Sequence, residues 1–186
     1  GPHCSYGCDT LVAEGLIKKL AERKEIMIAP SVSYSPSSYA VADEKSGTVH
    51  IEENAFENYL YYVFMSMLCS GLKNIYVVIH HQYEQESLMP MTLSYMKAAK
   101  RATMQYMEQT RGRGWWGSES YSEYYNNLEN NDNPFAWIKV IPTMSTEVQN
   151  ATGYDHAGKF ESSILMSLYS EAVKLERIDD IKHWFT

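Results

Sequence analysis

The stretch Asn74-Ile75-Tyr76-Val77-Val78-Ile79-His80-His81-Gln82-Tyr83-Glu84 decides how this chain is read. Ile75 to Ile79 are all β-branched or aromatic and carry no charge, the composition of a buried strand. The apolar run then gives way to two imidazoles, an amide, a phenol and a carboxylate. In α/β proteins, functional groups gather at the carboxyl ends of strands. His80–Glu84 is therefore predicted to lie at a site.

Outward from that strand, helices and strands alternate. Before it, Val12, Leu16 and Leu20 recur every four residues beside Ala13 and Ile17, predicting a helix over Thr10–Lys24 with Asp9 at the N-cap position. Ile26–Ala29, ended by Pro30, reads as a strand, Ser31–Gly47 as a long loop, and Thr48–Ile51 as a short strand. Phe56, Leu60, Val63 and Met67 mark a second helix that stops at Ser70-Gly71. After the strand, a helix over Glu86–Gln109 carries Pro90 in its first turn or restarts there. Arg111–Pro134 is a polar, aromatic excursion, Ala136–Ile141 is a strand closed by Pro142, and Lys159–Leu175 is a last helix. This order predicts one α/β domain, with a mainly parallel sheet and helices on both faces.

Composition narrows the partners. The 186 residues are 45% hydrophobic and 21% charged, the balance of a globular protein, and carry a net charge of −7. Phosphate recognition needs a concentrated basic face. Lys97, Lys100, Arg101, Arg111 and Arg113 are diluted by Met and Tyr, so they read as a solvated helix face and no nucleic-acid partner is expected. No apolar run approaches the roughly 20 residues of a membrane span. Cys4, Cys8 and Cys69 are odd in number and at no zinc-finger spacing, which favours a reducing, cytoplasmic location. Each reads as a small buried hydrophobe. Cys4 and Cys8 also lie near a candidate ligand, with soft metal ligation as the alternative.

Three segments concentrate groups able to do chemistry: Gly1–Thr10 before a helix, His80–Glu84 after a strand, and Gly153–Ser163 leading into the last helix. Singly, each has a plain explanation. Asp9 caps a helix, a His pair after a strand is a polar loop, His156 is structural, and Glu161 complements a helix N-terminus.

Together they resemble a family. Gly1-Pro2-His3, with Gly7-x-Asp9-Thr10-x-x-Ala13-Glu14-Gly15, resembles the creatininase-family signature around its bridging aspartate. Tyr34-Ser35-Pro36 with Gly47-Thr48 resembles the next loop of that family. Ile75–Ile79 followed by His80-His81 stands where the family has an Asn-Gly-His strand end. His156-Ala157-Gly158-x-Phe160-Glu161-x-Ser163 is similar to its His-Ala-Gly-Glu-Phe-Glu-Thr-Ser segment.

The resemblance implies a metal-dependent amidohydrolase cleaving a C–N bond of a small amide, cyclic ones included, or formamide. It implies two divalent metal ions (zinc or manganese, or iron) and a homo-oligomer, commonly a hexamer. Asp9, His81 and Glu84 fall on metal ligands, and His156 and Glu161 on the groups that move protons. Glu84 stands one residue beyond the family spacing, and aligning it directly would put Gln82 in the histidine position. A tryptophan over the substrate, as in the family, would be Trp115, Trp116 or Trp137; packing on a neighbouring subunit is the other reading. The family's Glu-x-His metal pair would immediately precede Gly1. The expectation is thus a creatininase-like domain over 1–186 without the family's first strand and first metal motif, through truncation rather than divergence. A catalytically inactive binding or scaffold protein on the same fold, or a peptidase maturing a small peptide, are the rival readings.

Overall fold

A computed structural model of the chain describes residues 2–37, 45, 47–81, 89–121, 133–152 and 158–178. Helix α1 spans Cys8–Ala21 and α2 Glu53–Cys69, followed by strand β1, Ile75–Ile79, and helix α3, Pro90–Arg111. Strand β2, Ile138–Pro142, precedes α4, Thr146–Thr152, and α5, Lys159–Leu168. The fold is α/β, and β1 and β2 pair in parallel, Ile75 with Ile138 through Ile79 with Pro142.

The larger core follows directly from residue spacing. Phe56, Leu60, Phe64 and Leu68 recur every four residues, so α2 buries them along one stripe. Each such side chain contributes about 1.5–3 kcal/mol when fully buried. Opposite them, α3 presents Ala98, Ala99 and Ala102, small enough for the two helices to approach closely. Tyr95 meets Phe56 edge-on at 5.3 Å between ring centroids, an arrangement that suits the ring quadrupoles. The sheet closes this core with Ile79 and Ile138, while Ile75, Val77 and Val140 pack against it half-buried. Tyr76, between Ile75 and Val77, and Ile141, next after Val140, are exposed, as the two-residue period of a strand requires.

A smaller core joins α1 to α5. Val12, Leu165, Ala172 and Val173 are buried together. Gly15 lets the helices meet, since a Cβ there would lie 3.0 Å from both Leu168 Cδ1 and Tyr169 Cε2. The segment before α1 is tied to this unit through the backbone. Ser5 N–H donates to Ala172 O at 2.9 Å and Lys174 N–H to His3 O at 2.7 Å.

Several elements differ from the sequence expectation. Ile26–Ala29 and Thr48–Ile51 lie outside any strand. An extended segment becomes a strand by pairing, and among the described residues no strand pairs with either. Ile26, Met27 and Ile28 are accordingly exposed. The described sheet is thus the parallel pair β1–β2. Helix α3 takes Pro90 at its first position, where the missing N–H costs nothing, and ends at Gly112 with φ 86°. The beginning expected at Glu86 falls outside the described residues. The last helix stops at Leu168, because Tyr169 leaves helical geometry at φ −145°, ψ 86°, and a single 3-10 turn, Ser170–Ala172, follows. Helix α4 carries no apolar periodicity that would have revealed it. Ser145 Oγ accepts from Val148 N–H at 3.4 Å at its start. No described helix is long and apolar enough to cross a membrane.

Candidate metal centre

The end of β1 is held in place by its partner strand. Thr143 N–H donates to Ile79 O at 2.8 Å, continuing the parallel pairing past Pro142. His80 then sits with Nδ1 2.6 Å from Thr143 Oγ1. The next residue, His81, reaches out of the larger unit and places Nδ1 2.8 Å from Asp9 Oδ2. That contact bridges the two cores.

Asp9 comes from the first turn of α1. The helix starts one residue after Gly7, whose φ of 80° is a left-handed conformation that glycine adopts without strain. Asp9 was expected at the cap position, but it lies inside the helix and its carboxylate is directed to other groups. Oδ2 meets His81, and Oδ1 accepts from Cys8 Sγ at 3.5 Å. From α5, Glu161 enters in the first turn after the N-cap Gly158. Ligand atoms of Cys8, Asp9 and Glu161 all lie within 4.8 Å of one another, and the three residues are half-buried. Two helix N-termini therefore deliver carboxylates to one place, where the helix dipoles favour negative charge.

The electrostatics are those of a concentrated negative site. Burial pushes the Cys8 thiol well above its ordinary range, and the charges of Asp9 and Glu161 push it further. Asp9 is held below the usual carboxylate range: burial opposes this, but the hydrogen bond and charge of His81 outweigh it, with His80 and Cys8 assisting. Burial disfavours the His81 cation too, yet the hydrogen bond and charge of Asp9, with the charge of Glu161, raise it above the ordinary imidazole range. Burial lowers His80, and the neighbouring His81 adds to that against the pull of Asp9. His81 thus carries its Nδ1 proton toward Asp9, and His80 favours the neutral ring.

Beside this cluster lies a second buried contact. His3, 2% exposed, places Nε2 2.8 Å from Ser162 Oγ, which is also 3.7 Å from Cys4 Sγ. His3 Nδ1 is buried without a hydrogen-bond partner among the described residues. Burial holds His3 below the ordinary imidazole range, so this pair is a neutral support under the residue next to Glu161.

Of the residues singled out in the sequence, Asp9, His81 and Glu161 come together, drawn from three distant segments. Glu84 and His156 lie outside the described residues. Cys8, for which soft ligation was the alternative to a buried hydrophobe, and His80, from the segment expected at a site, lie beside them. The only local signal for Cys8 was its place one residue before Asp9 on a helix N-terminus. Trp115 and Trp137 are buried in the larger core, at 4% and 5% exposure. Trp116 is exposed and leans on Phe135 at 5.7 Å.

The donor set suits a divalent cation. A thiol and two carboxylates converge with an imidazole at their edge, and the burial and negative charge that raise Cys8 are what a bound cation would offset. Comparison with known proteins points the same way. A family model described as creatinine amidohydrolase, the creatininase family, matches residues 1–185. No curated protein and no solved structure matches the chain.

Proposed function

The chain belongs to the creatininase family, and from that premise we propose that it is a metal-dependent amidohydrolase opening the C–N bond of a small amide or formamide, cyclic amides included. The observation that carries this reading is the convergence of Asp9, Cys8 and Glu161 with His81 against Asp9. Two divalent ions, zinc or manganese, are the cofactors this reading calls for. When bound, they lower the pKa of water and polarise the carbonyl.

The chain's own residues then have definite tasks. Asp9 holds cation charge through a carboxylate whose ionised form His81 supports against the opposing effect of burial. His81 spends Nδ1–H on Asp9 Oδ2, which fixes the tautomer and leaves the Nε2 lone pair for a ligand bond. Glu161 adds a second carboxylate from the opposite helix, and Glu84 a third from the segment after the strand. His156, five residues before Glu161 and leading into the same helix, is the group we assign to carry a proton to the leaving nitrogen. The doubly covered parallel sheet, a homo-oligomer such as a hexamer, and a cytoplasmic site of action belong to the same proposal.

The test is metal content per chain by elemental mass spectrometry, followed by hydrolysis of a panel of small amides before and after chelation. About two divalent ions per chain, hydrolysis lost on chelation and restored by zinc or manganese, and a loss of roughly 10²–10⁴-fold in His156→Ala are expected. A chain that purifies without metal and takes up none sinks the hydrolase reading and leaves the fold as a binding scaffold.

A further inference from the structure

Cys8 converges with Asp9 and Glu161, but the hydrolase reading gives its thiol no task. Its sulfur lies 3.5 Å from Asp9 Oδ1, and with Glu161 the three ligand atoms lie within 4.8 Å of one another. A tetrahedral zinc with a sulfur ligand at about 2.3 Å and an oxygen ligand at about 2.0 Å sets those two atoms about 3.5 Å apart. The thiol and carboxylate are therefore already spaced as neighbouring ligands of one ion. Cys8 is the first residue of α1 and Asp9 the second, and the hydrogen bond between their side chains holds the spacing. Glu161 is fixed independently by α5, which packs on α1 through Gly15.

We propose that Cys8 is a metal ligand, forming with Asp9 and Glu161 a mixed sulfur–oxygen centre that selects zinc or cobalt over manganese. This deepens the hydrolase reading and rests on it. Thiolates favour borderline and soft cations, whereas an all-carboxylate site would suit manganese or magnesium. As the sulfur–metal bond forms, the S–H bond breaks and its proton passes to solvent, so uptake releases a proton that a carboxylate-only site would not. Glu161, assigned from sequence to proton handling, here holds the ion.

The experiment is cobalt(II) titration of the full chain after metal removal, read by absorption, with Cys8→Ser, Cys4→Ser and Cys69→Ser beside the unmutated protein. A thiolate-to-cobalt charge-transfer band in the near ultraviolet is expected, lost in Cys8→Ser and kept in the other two. Zinc affinity in Cys8→Ser should fall by more than roughly tenfold, the lower end of what losing an outer-shell partner typically costs, with manganese affinity little changed. Cobalt binding without the charge-transfer band would overturn the thiolate and leave the hydrolase reading standing. No cobalt binding at all would sink both. Should Cys8→Ser fail to fold, the unmutated chain still decides the matter. Bound zinc should shield Cys8, located by peptide mass spectrometry, from iodoacetamide, and equal labelling with and without zinc would overturn the proposal.

Discussion

The two cores are built on different terms. The larger, formed by α2, α3, β1 and β2, is held by long apolar stripes and interlocking rings, with Leu60 and Leu68 almost fully buried. The smaller, between α1 and α5, has four buried residues and depends on a close helix approach at Gly15. The candidate centre lies where the two meet: Asp9 and Glu161 come from the smaller unit and His81 from the larger. Burial supplies stability on one side, while the other side spends its helix N-termini on charge. A packed scaffold and a polar seam are thus separate tasks, assigned to separate parts of the chain.

Equivalent substitutions in the two units test this division. Leu68→Ala should cost about 2–5 kcal/mol of unfolding free energy, read by denaturant titration. Leu165→Ala should fall toward the lower end of that range, because a four-residue cluster closes more readily round a gap. The opposite ranking would break the comparison. Next in size, Gly15→Val should cost about 1–3 kcal/mol by forcing α1 off Leu168 and Tyr169. Gly15→Ala should cost less, since its gain in helix propensity, about 1 kcal/mol, offsets part of the clash. Amide hydrogen exchange should follow the same division, with α2 and α3 opening only on global unfolding and α1 and α5 exchanging sooner.

A smaller effect sharpens the picture at the seam. In the metal-free protein, the lowered Asp9 contributes stability above the ordinary carboxylate pKa of 3.8, lost as pH falls through its folded value. The raised His81 contributes fully below the ordinary imidazole pKa of 6.5, and this is lost as pH rises through its folded value. The pair therefore stabilises most between those limits. Asp9→Asn should flatten the profile of melting temperature against pH on both flanks and lower the His81 titration seen by NMR. A His81 titration unmoved by Asp9→Asn would show that the two units do not communicate through this contact.

These differences also explain what the sequence could reveal. Helices α2 and α3 and strand β1 were legible because their patterns are local: helical spacing from Phe56 and Leu60 to Val63 and Met67 (the fully buried stripe continues instead through Phe64 and Leu68), an uncharged β-branched and aromatic run in Ile75–Ile79, and proline and glycine at the ends. Ile26–Ala29 has the composition of a strand, but composition does not provide a partner. Asp9, His81 and Glu161 were picked out through the family's motifs, while periodicity alone would have left Asp9 as a helix cap. Cys8 reads first as a small hydrophobe, with ligation only the alternative, because its neighbour Glu161 comes from the far end of the chain and no local spacing encodes that meeting.

The span between partners also sets an order of events. The elements of the larger core follow one another over a short stretch of chain, with α2, β1 and α3 contiguous. The smaller core must close nearly the whole polypeptide, since His3 and Ser162 are 159 residues apart, and Asp9 and His81 are 72 apart. Loop closure over such distances costs entropy before any contact repays it, and long-range contacts slow folding. The scaffold should therefore form early and the seam last. A refolding chain would then bury its apolar stripes before Asp9 and His81 could meet.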